Sequence, residues 1–180
     1  MASETLENKT KLVNLYDPNG PKVQIEDHRA IYELYGSVKE NPKKFYWQGK
    51  IGTENNRIVC LDASEIGLTY IPKGICNLKN LKELWLYENQ IKTLPKNIGN
   101  LDNLEELYLW GNQIKTLPKN IGNLKKLRTL NLNDNQIKTI PENIRNLKNL
   151  KGLYLLANPL DEKSKEILEE LNSKGVSVGY

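Results

Sequence analysis

Aromatic side chains recur at a fixed spacing in the middle of the sequence, and their chemistry suits the binding of another molecule. Trp85 and Tyr87 alternate along the chain, and Tyr108 and Trp110 follow them 23 residues later. Indole and phenol rings bury large apolar surfaces, and their faces attract cations. Trp and Tyr are also enriched at the energetic centres of protein interfaces. The spacing therefore predicts a surface that recognises a partner carrying apolar and basic groups.

Acidic side chains accompany the aromatic residues at the same spacing. Glu83 and Glu106 each come two residues before an aromatic pair, and Glu88 and Asp134 follow the alternating segments. Carboxylates beside aromatic rings favour a partner of opposite charge. The residues that we predict to bind the partner are Trp85, Tyr87, Tyr108, Trp110, Tyr154, Glu83, Glu88, Glu106, Asp134, Asn131 and Asn133.

The residue types that catalysis requires are present, but their spacing does not form a reactive site. The single histidine, His28, has no nucleophile or metal-ligand set near it in the sequence. Asp62 and Glu65 form a carboxylate pair on an open face, without the burial that tunes an acid and a base. Cys60, at position 3 of the first strand, could be exposed, but no basic group at a defined spacing would activate it. We therefore predict no enzymatic activity, no metal and no cofactor.

The segments that carry these residues are copies of one another. The segment from Leu81 to Asn103 reads LKELWLYENQIKTLPKNIGNLDN, and the segment from Leu104 to Lys126 reads LEELYLWGNQIKTLPKNIGNLKK. All but six of the 23 positions are identical, and the next 23 residues keep the same frame. A constant period of this length predicts a solenoid, in which each coil buries its apolar face against its neighbours.

One period contains a short strand, a turn and an irregular return. Leu107 and Leu109 alternate with Tyr108, which is typical of a strand with one buried face. Asn112 follows at the turn, where its amide can satisfy backbone groups, and stacked copies predict an internal asparagine ladder. Pro118 prevents a second strand, so we expect an irregular or short helical return. Because the strand side of each coil is narrower than the return side, the stack of coils curves and the parallel strands line its concave face.

Of the six variable positions, 5, 7 and 8 lie on or just after this strand. Positions 5 and 7 of the repeat face solvent on the concave side, where packing does not restrict them. Since neighbouring strands lie about 4.8 Å apart, the two Trp and two Tyr residues are expected to form one aromatic cluster. Asn131 and Asn133 interrupt the aromatic rows before Tyr154 and Leu156. The differences between repeats thus predict the partner-binding face.

The pattern L-x-x-L-x-L-x-x-N-x-I-x-x-L-P-x-x-I-x-x-L resembles the leucine-rich repeats, and it covers residues 58–160. The 23-residue unit with Leu-Pro at its middle is similar to the intracellular, Ras-scaffold-like and bacterial branches of that family. The resemblance implies an α/β fold: a right-handed leucine-rich-repeat solenoid, or horseshoe, with parallel concave strands and about five coils. It also implies a scaffold for protein recognition.

The two ends of the chain depart from the repeat and are predicted to form caps. Residues 1–20 are expected to be a flexible tail. Residues 21–57 are expected to form an N-terminal cap with a helix, a strand at Phe45–Trp47 and a hairpin whose turn is at Asn55–Asn56. Residues 161–180 have helical spacing followed by Val176–Val178, which predicts a C-terminal cap of a helix and a final strand.

The overall charge and the cysteines restrict the partner and the location. The net charge is +4, and lysines recur at two positions of the return segment, which predicts a basic back behind the acidic concave face. The beginning of the sequence lacks the apolar segment of a signal peptide. Cys60 and Cys76 have no metal-ligand spacing. We therefore expect a cytoplasmic protein with reduced thiols and no membrane span.

These features predict a nonenzymatic module that binds a protein or peptide on its aromatic, acidic concave face. One alternative is that the basic convex face binds an anionic surface, either nucleic acid or membrane. In that case the repeated lysines would contact phosphates, although the segments around them offer no stacking aromatic residues for nucleic acid. Another alternative is a weak homodimer through the concave aromatic residues. The aromatic pairs could also serve only the stability of the sheet.

Overall fold

The computed structural model of the protein describes residues 25–37 and 51–180. The predicted flexible tail and the predicted strand at Phe45–Trp47 lie outside these residues. The helices are α1 (Ile25–Ser37) and α2 (Glu162–Ser173). The strands are β1 (Ile51–Glu54), β2 (Arg57–Asp62), β3 (Glu83–Trp85), β4 (Glu106–Tyr108), β5 (Thr129–Asn131), β6 (Gly152–Tyr154) and β7 (Ser177–Gly179).

The strands form one open sheet in the order of the sequence, from β1 to β7. The hairpin β1–β2 is antiparallel, and every later pair is parallel. Equivalent repeat positions lie side by side, so that Leu84 pairs with Leu107 and Leu107 pairs with Leu130. The leucine-rich-repeat horseshoe predicted from the sequence is confirmed, because one coil adds one strand to the same sheet.

Each coil returns through a short 3₁₀ helix, and proline determines where that helix begins. The four 3₁₀ helices are Lys73–Asn77, Lys96–Asn100, Lys119–Asn123 and Glu142–Asn146. A proline precedes each of them; Pro118, for example, has φ −70° and ψ 145°. Proline cannot donate to a sheet ladder, so no second strand forms here. The short helical return predicted from the sequence is confirmed.

The core is a column of leucine and isoleucine side chains from successive coils. Leu107 in the strand, Leu109 just after it and Ile121 in the return are fully buried. Because each coil is only a few residues thick, these side chains pack mainly against the same positions in the next coil. Burial of one such side chain contributes about 1.5–3 kcal/mol, and the repeat multiplies this contribution along the solenoid.

An asparagine at each turn connects neighbouring coils by hydrogen bonds. Asn112 donates from Nδ2 to the carbonyl oxygens of Leu86 (2.9 Å) and Leu109 (3.0 Å). Its Oδ1 accepts a hydrogen bond from the Ile91 N–H at 2.9 Å. Asn89, Asn135 and Asn158 make equivalent contacts. The predicted asparagine ladder is therefore confirmed.

The first coil lacks a ladder asparagine of its own, because Ile66 stands in that position. Asn89 of the following coil compensates: its Oδ1 accepts from the N–H groups of Ile66 (3.2 Å) and Leu68 (2.9 Å). Its Nδ2 donates to the Ala63 carbonyl oxygen at 2.9 Å. A hydrogen bond from each coil to the preceding one explains how the first coil can lose its asparagine.

Glycine at position 19 of the repeat allows the return segments to approach closely. A Cβ atom on Gly99 would collide with the Asn120 carbonyl oxygen, and one on Gly122 would collide with that of Asn143. In the last such repeat the position is occupied by Arg145. There α2 replaces the next 3₁₀ helix, and the Arg145 guanidinium forms an ion pair with Glu170 at 2.8 Å.

Helix α1 covers the N-terminal end of the column. Ala30, Ile31 and Leu34 pack into the core. The buried Asp27 carboxylate accepts hydrogen bonds from the Arg57 guanidinium (2.9 and 3.1 Å) and from the Ile58 N–H (2.8 Å). A buried carboxylate requires such partners, so this contact ties the helix to β2.

Helix α2 and β7 cover the C-terminal end. Asp161 caps the helix by accepting a hydrogen bond from the Ser164 N–H at 2.8 Å, and Ile167, Leu168 and Leu171 are buried. The final strand begins one residue later than the predicted Val176, because it is the Ser177 N–H that bonds the preceding coil through the Lys151 carbonyl oxygen (2.7 Å). The domain boundaries drawn from the sequence stay predictions.

Replacement of Asn112 by alanine is expected to lower the free energy of unfolding by about 3 kcal/mol. The variant leaves the buried Ile91 N–H without its partner, at a cost of about 1–3 kcal/mol. It also removes one of the two donors to each of the Leu86 and Leu109 carbonyl oxygens, which keep the hydrogen bonds from Asn89 and Asn135. Urea denaturation followed by circular dichroism measures the change. The control is Asn172→Ala on α2, where the side chain is exposed and we expect a change within about 0.5 kcal/mol. Equal losses in the two variants would contradict the structural role of the ladder.

Candidate partner-binding face

The concave face, as we use the term, consists of the side chains at repeat positions 3, 5 and 7 along β2–β6. The parallel register aligns Trp85 with Tyr108, Tyr108 with Asn131, and Asn131 with Tyr154. Their neighbours at positions 4 and 6 point into the core and are fully buried. Strand alternation thus brings the position-5 residues of the predicted site into one row.

The four central aromatic residues form two cross-strand pairs. Trp85 and Tyr108 meet edge to face, with ring centroids 5.9 Å apart and an interplanar angle of 86°. Tyr87 and Trp110 are stacked, with centroids 4.9 Å apart and an angle of 5°. Each of these side chains is only partly buried. The pairs fix the rings in place while part of each ring stays accessible.

Tyr154 lies on the same face, two strands away from Tyr108. Its ring folds back over Gly152 on its own strand, where an added Cβ would lie 2.8 Å from the phenol oxygen. The absence of a side chain at position 152 therefore allows this orientation of the tyrosine. Sequence reasoning missed the role of Gly152. The available indication was that this repeat position holds Glu or Thr in the three preceding repeats and glycine only here.

Glu83 and Glu106 are neighbours on β3 and β4. The Tyr108 hydroxyl donates to Glu106 Oε2 at 2.9 Å, and the Cys60 thiol lies 3.7 Å from Glu83 Oε2. Among the ion pairs of the described residues, none includes either carboxylate. Two adjacent carboxylates without a cation make this part of the face an attractive place for positive charge.

Burial and the adjacent carboxylates perturb the titration of this group. Burial, followed by the negative charge of Glu106, raises the pKa of Glu83 above its ordinary value. Glu105 adds to this effect, while the nearby Lys82 opposes it. Burial and the hydrogen bond to Glu106 also raise the pKa of the Tyr108 phenol.

Cys60 is buried, so the exposed position that the sequence allowed does not occur. Only 8% of the residue is exposed, because the hairpin strand β1 and the Glu83 side chain cover it. Burial raises the pKa of the Cys60 thiol to about 12, and Glu83 contributes to the same effect. A thiol that stays protonated is a poor nucleophile.

Glu88 and Asp134 lie at the rim, where the backbone turns out of the strand. Both have a left-handed backbone, with φ 51° and 52°, and Gly111 occupies the equivalent position with φ 67°. Non-glycine residues adopt this region at a cost. Position 8 therefore requires a left-handed backbone, which glycine adopts at low cost. The variation among Glu88, Gly111 and Asp134 reflects this requirement as well as the choice of partner that the sequence predicts.

Asn131 and Asn133 use their side-chain oxygens within the protein. Asn131 Oδ1 accepts from the Asn133 N–H at 3.1 Å, and Asn133 Oδ1 accepts from the Leu156 N–H at 2.8 Å. Asp62 makes the equivalent contact with the Ser64 N–H at 3.1 Å. These residues therefore shape the backbone at the end of their strands, in addition to any contact with a partner.

The repeated lysines lie away from the concave face, on the return side of the solenoid. Lys92, Lys115 and Lys138 are exposed, and none of them joins an ion pair among residues 25–37 and 51–180. Lys115 and Lys138 border an open groove together with Thr116 and Thr139. These three lysines thus lie apart from the carboxylates of the concave face.

Other kinds of site find no support in the described part of the chain. It holds no group of three acidic, histidine or cysteine side chains that could bind a metal ion. None of its helices is long and apolar enough to cross a membrane. His28 belongs to α1, and its side chain lies outside what the structure describes.

Replacement of Glu83 by glutamine is expected to stabilise the protein at pH 7 by about 0.5 kcal/mol, the size of a cross-strand charge effect. Because folding raises the pKa of Glu83, ionisation favours the unfolded state as the pH rises above the ordinary glutamate value of about 4.3. The gain should therefore disappear near pH 4. Urea denaturation at both pH values measures it. Glu166→Gln, an exposed change on α2, is the control; a loss of stability in Glu83→Gln at pH 7 would refute the argument.

Comparison with known proteins agrees with this architecture. The family model described as "Leucine-rich repeat region" matches residues 55–173. A leucine-rich-repeat protein of Leptospira interrogans is 43% identical, with a TM-score of 0.61, over 63% of this chain and 29% of that chain. An internalin from Listeria monocytogenes is 28% identical, with a TM-score of 0.55, over 62% of this chain and 32% of that one.

A plant structure, the BIR3–SERK2 complex from Arabidopsis thaliana, is 25% identical with a TM-score of 0.63, over 75% of this chain and 83% of the matched one. None of the curated proteins matches the sequence. The chain spans less than a third of the Leptospira protein. The match of the family model over most of the repeats and the register of the strands show that the chain belongs to the leucine-rich-repeat family.

Proposed function

We propose that the chain is a nonenzymatic recognition module that binds a protein or an extended peptide on its concave face. Leucine-rich-repeat proteins are protein-interaction modules, and one similar structure is itself a complex, BIR3–SERK2. The observation that carries the proposal is the meeting of two aromatic pairs with two adjacent carboxylates on one open sheet face, where neither carboxylate forms an ion pair within residues 25–37 and 51–180.

The size of the face suits a modest interface. Five parallel strands, at about 4.8 Å each, give a width of about 20 Å, and a standard interface buries about 800 Å² per partner. The rings supply apolar area, and the cross-strand contacts have already restricted their rotation. Ordered side chains lose less entropy on binding, so more of the contact energy appears as affinity.

The charge of the face defines the partner. Glu83 and Glu106 lie in the centre, and Glu88 and Asp134 lie at the rim. A partner with basic and apolar side chains would be attracted to these groups, whereas an acidic partner would be repelled.

The buried thiols support a proposed site of action in the cytoplasm. Cys60 and Cys76 are free and buried, and burial raises the pKa of each to about 12. Free cysteines suit a reducing compartment. We do not assign a catalytic role to either of them, because a protonated, covered thiol does not attack a substrate.

The back of the solenoid offers a second candidate function. Lys92, Lys115 and Lys138, which form no ion pair within the described part of the chain, would be attracted to a phosphate-bearing surface, and such binding would weaken steeply with salt. A homodimer through the concave face is a third possibility that the same experiment distinguishes.

Replacement of Trp85, Tyr108 and Trp110 by alanine is expected to abolish partner binding and leave the protein folded. Hot-spot aromatic residues often contribute 2 kcal/mol or more each, while their partly exposed positions carry little of the core. Affinity capture from a lysate of the source cells, with wild type and variant side by side, identifies the partner. Circular dichroism and size-exclusion chromatography monitor folding and oligomeric state.

The matched control replaces Lys92, Lys115 and Lys138 by alanine. A partner lost by the aromatic variant and kept by the lysine variant supports the concave face. The reverse pattern would sink the proposal and favour the basic back. A wild-type dimer that the aromatic variant converts to a monomer would instead identify a second copy of the chain as the occupant.

A further inference from the structure

We propose that the concave face contains a slot for one arginine side chain of the partner. The slot lies over β5, between Tyr108 on β4 and Tyr154 on β6, and it opens toward Glu106. This inference rests on the proposed function and specifies the chemistry of the partner at one point of the face.

The spacing of the strands sets the width of the slot. Tyr108 and Tyr154 occupy the same repeat position with one strand between them, so their Cα atoms lie about 9.6 Å apart, two strand spacings. A flat group between two rings needs two van der Waals separations of about 3.5–4 Å each. The spacing of the two strands is therefore compatible with one planar group between the two tyrosine side chains.

Short side chains form the floor between the two tyrosines. Asn131 lies directly between them, and Thr129 precedes it on the same strand. Asn131 Oδ1 accepts a hydrogen bond from the N–H of Asn133, just after the end of β5, at 3.1 Å, which keeps the amide close to the backbone. A larger residue at position 131 would fill the slot, as Tyr108 fills the equivalent place one coil earlier.

Polar oxygens gather at one end of the slot. The Tyr108 hydroxyl lies 2.9 Å from Glu106 Oε2. The Tyr154 hydroxyl lies above Gly152, which belongs to the same row of repeat positions as Glu106. Tyr154 also contributes to the raised pKa of Tyr108, as expected when the two phenols are within electrostatic reach. The end of the slot thus presents two phenol oxygens and a carboxylate.

The charge at this end lacks a counterion within the described chain. Glu106 and the adjacent Glu83 form no ion pair there. Two cations that precede β3 and β5 are engaged elsewhere, since Lys82 pairs with Glu54 at 2.7 Å and Arg128 with Glu105 at 3.4 Å. A cation supplied by a partner would relieve the repulsion between the two carboxylates.

Arginine satisfies these requirements better than lysine. Its guanidinium is planar, stacks on aromatic faces and presents several N–H donors in one plane. One edge of the group can donate to Glu106 while its faces contact Tyr108 and Tyr154. The ammonium of lysine provides the charge but cannot stack between two rings.

The test uses N-acetyl-arginine amide as the probe and the full chain as the receptor. Titration followed by ¹⁵N–¹H correlation spectra reports which backbone amides respond. N-acetyl-citrulline amide has nearly the same shape without the charge, and N-acetyl-lysine amide has the charge without the plane. We expect saturable shifts at β4–β6 with arginine, and much weaker responses to the other two probes.

Variants of the slot give a quantitative readout. Glu106→Gln keeps an acceptor for the Tyr108 hydroxyl and removes the charge, and we expect it to weaken arginine binding about tenfold, the equivalent of about 1.4 kcal/mol. Asn131→Phe should block the slot. Glu166→Gln on α2 has the same loss of charge far from the concave face and should bind as wild type does.

Several outcomes would overturn the slot. These are equal responses to arginine and citrulline, equal responses to arginine and lysine, shifts outside β4–β6, and equal affinities of Glu106→Gln and Glu166→Gln. If Asn131→Phe fails to fold, Glu106→Gln still decides.

Loss of the captured partner in the aromatic triple variant, together with a failed arginine titration, would reject the slot and keep the concave face as the binding surface. A successful titration with unchanged capture would keep the slot as an arginine-binding site and reject the concave face as the surface that binds the captured partner.

Discussion

Hydrogen bonding between neighbouring coils is the constraint on which the rest of this structure depends. A strand of three residues cannot hold a coil in place alone, and the turn after it leaves buried backbone groups that water cannot reach. Asn112 bonds three of these groups at once, two of them in the preceding coil. Because each asparagine joins its own coil to the one before it, every coil must stack at the same offset of 23 residues.

This constant offset determines the chemistry of the concave face. Identical repeat positions become neighbours about 4.8 Å apart, so a residue that is repeated meets its own copy. Repetition of an aromatic residue therefore stabilises the sheet through ring contacts, as Tyr87 and Trp110 show. Repetition of an acid instead produces repulsion, as in Glu83 and Glu106, and leaves a demand for positive charge. A functional surface can thus arise from the same rule that builds the fold.

The repeat also explains which parts of the site could be read from the sequence. Alternation of leucine with aromatic residues was sufficient to assign Trp85 and Tyr108 to one row, since strand geometry leaves no other arrangement. The asparagine and proline positions were equally predictable, because each has a local function in the turn or return. Other features depend on neighbours in adjacent coils. Gly122 is needed only because the next return segment lies against it, and Cys60 is buried only because β1 and Glu83 cover it.

The sequence by itself determined the solenoid, its period, its buried positions and the residues of the concave rows, because these follow from spacing within one chain segment. The tertiary structure decided the relations between side chains: the edge-to-face and stacked ring pairs across strands, the adjacency of Glu83 and Glu106 without an ion pair among the described residues, and the orientation of Tyr154 over Gly152. Those relations depend on rotamers and on distances across strands, which a one-dimensional pattern does not contain.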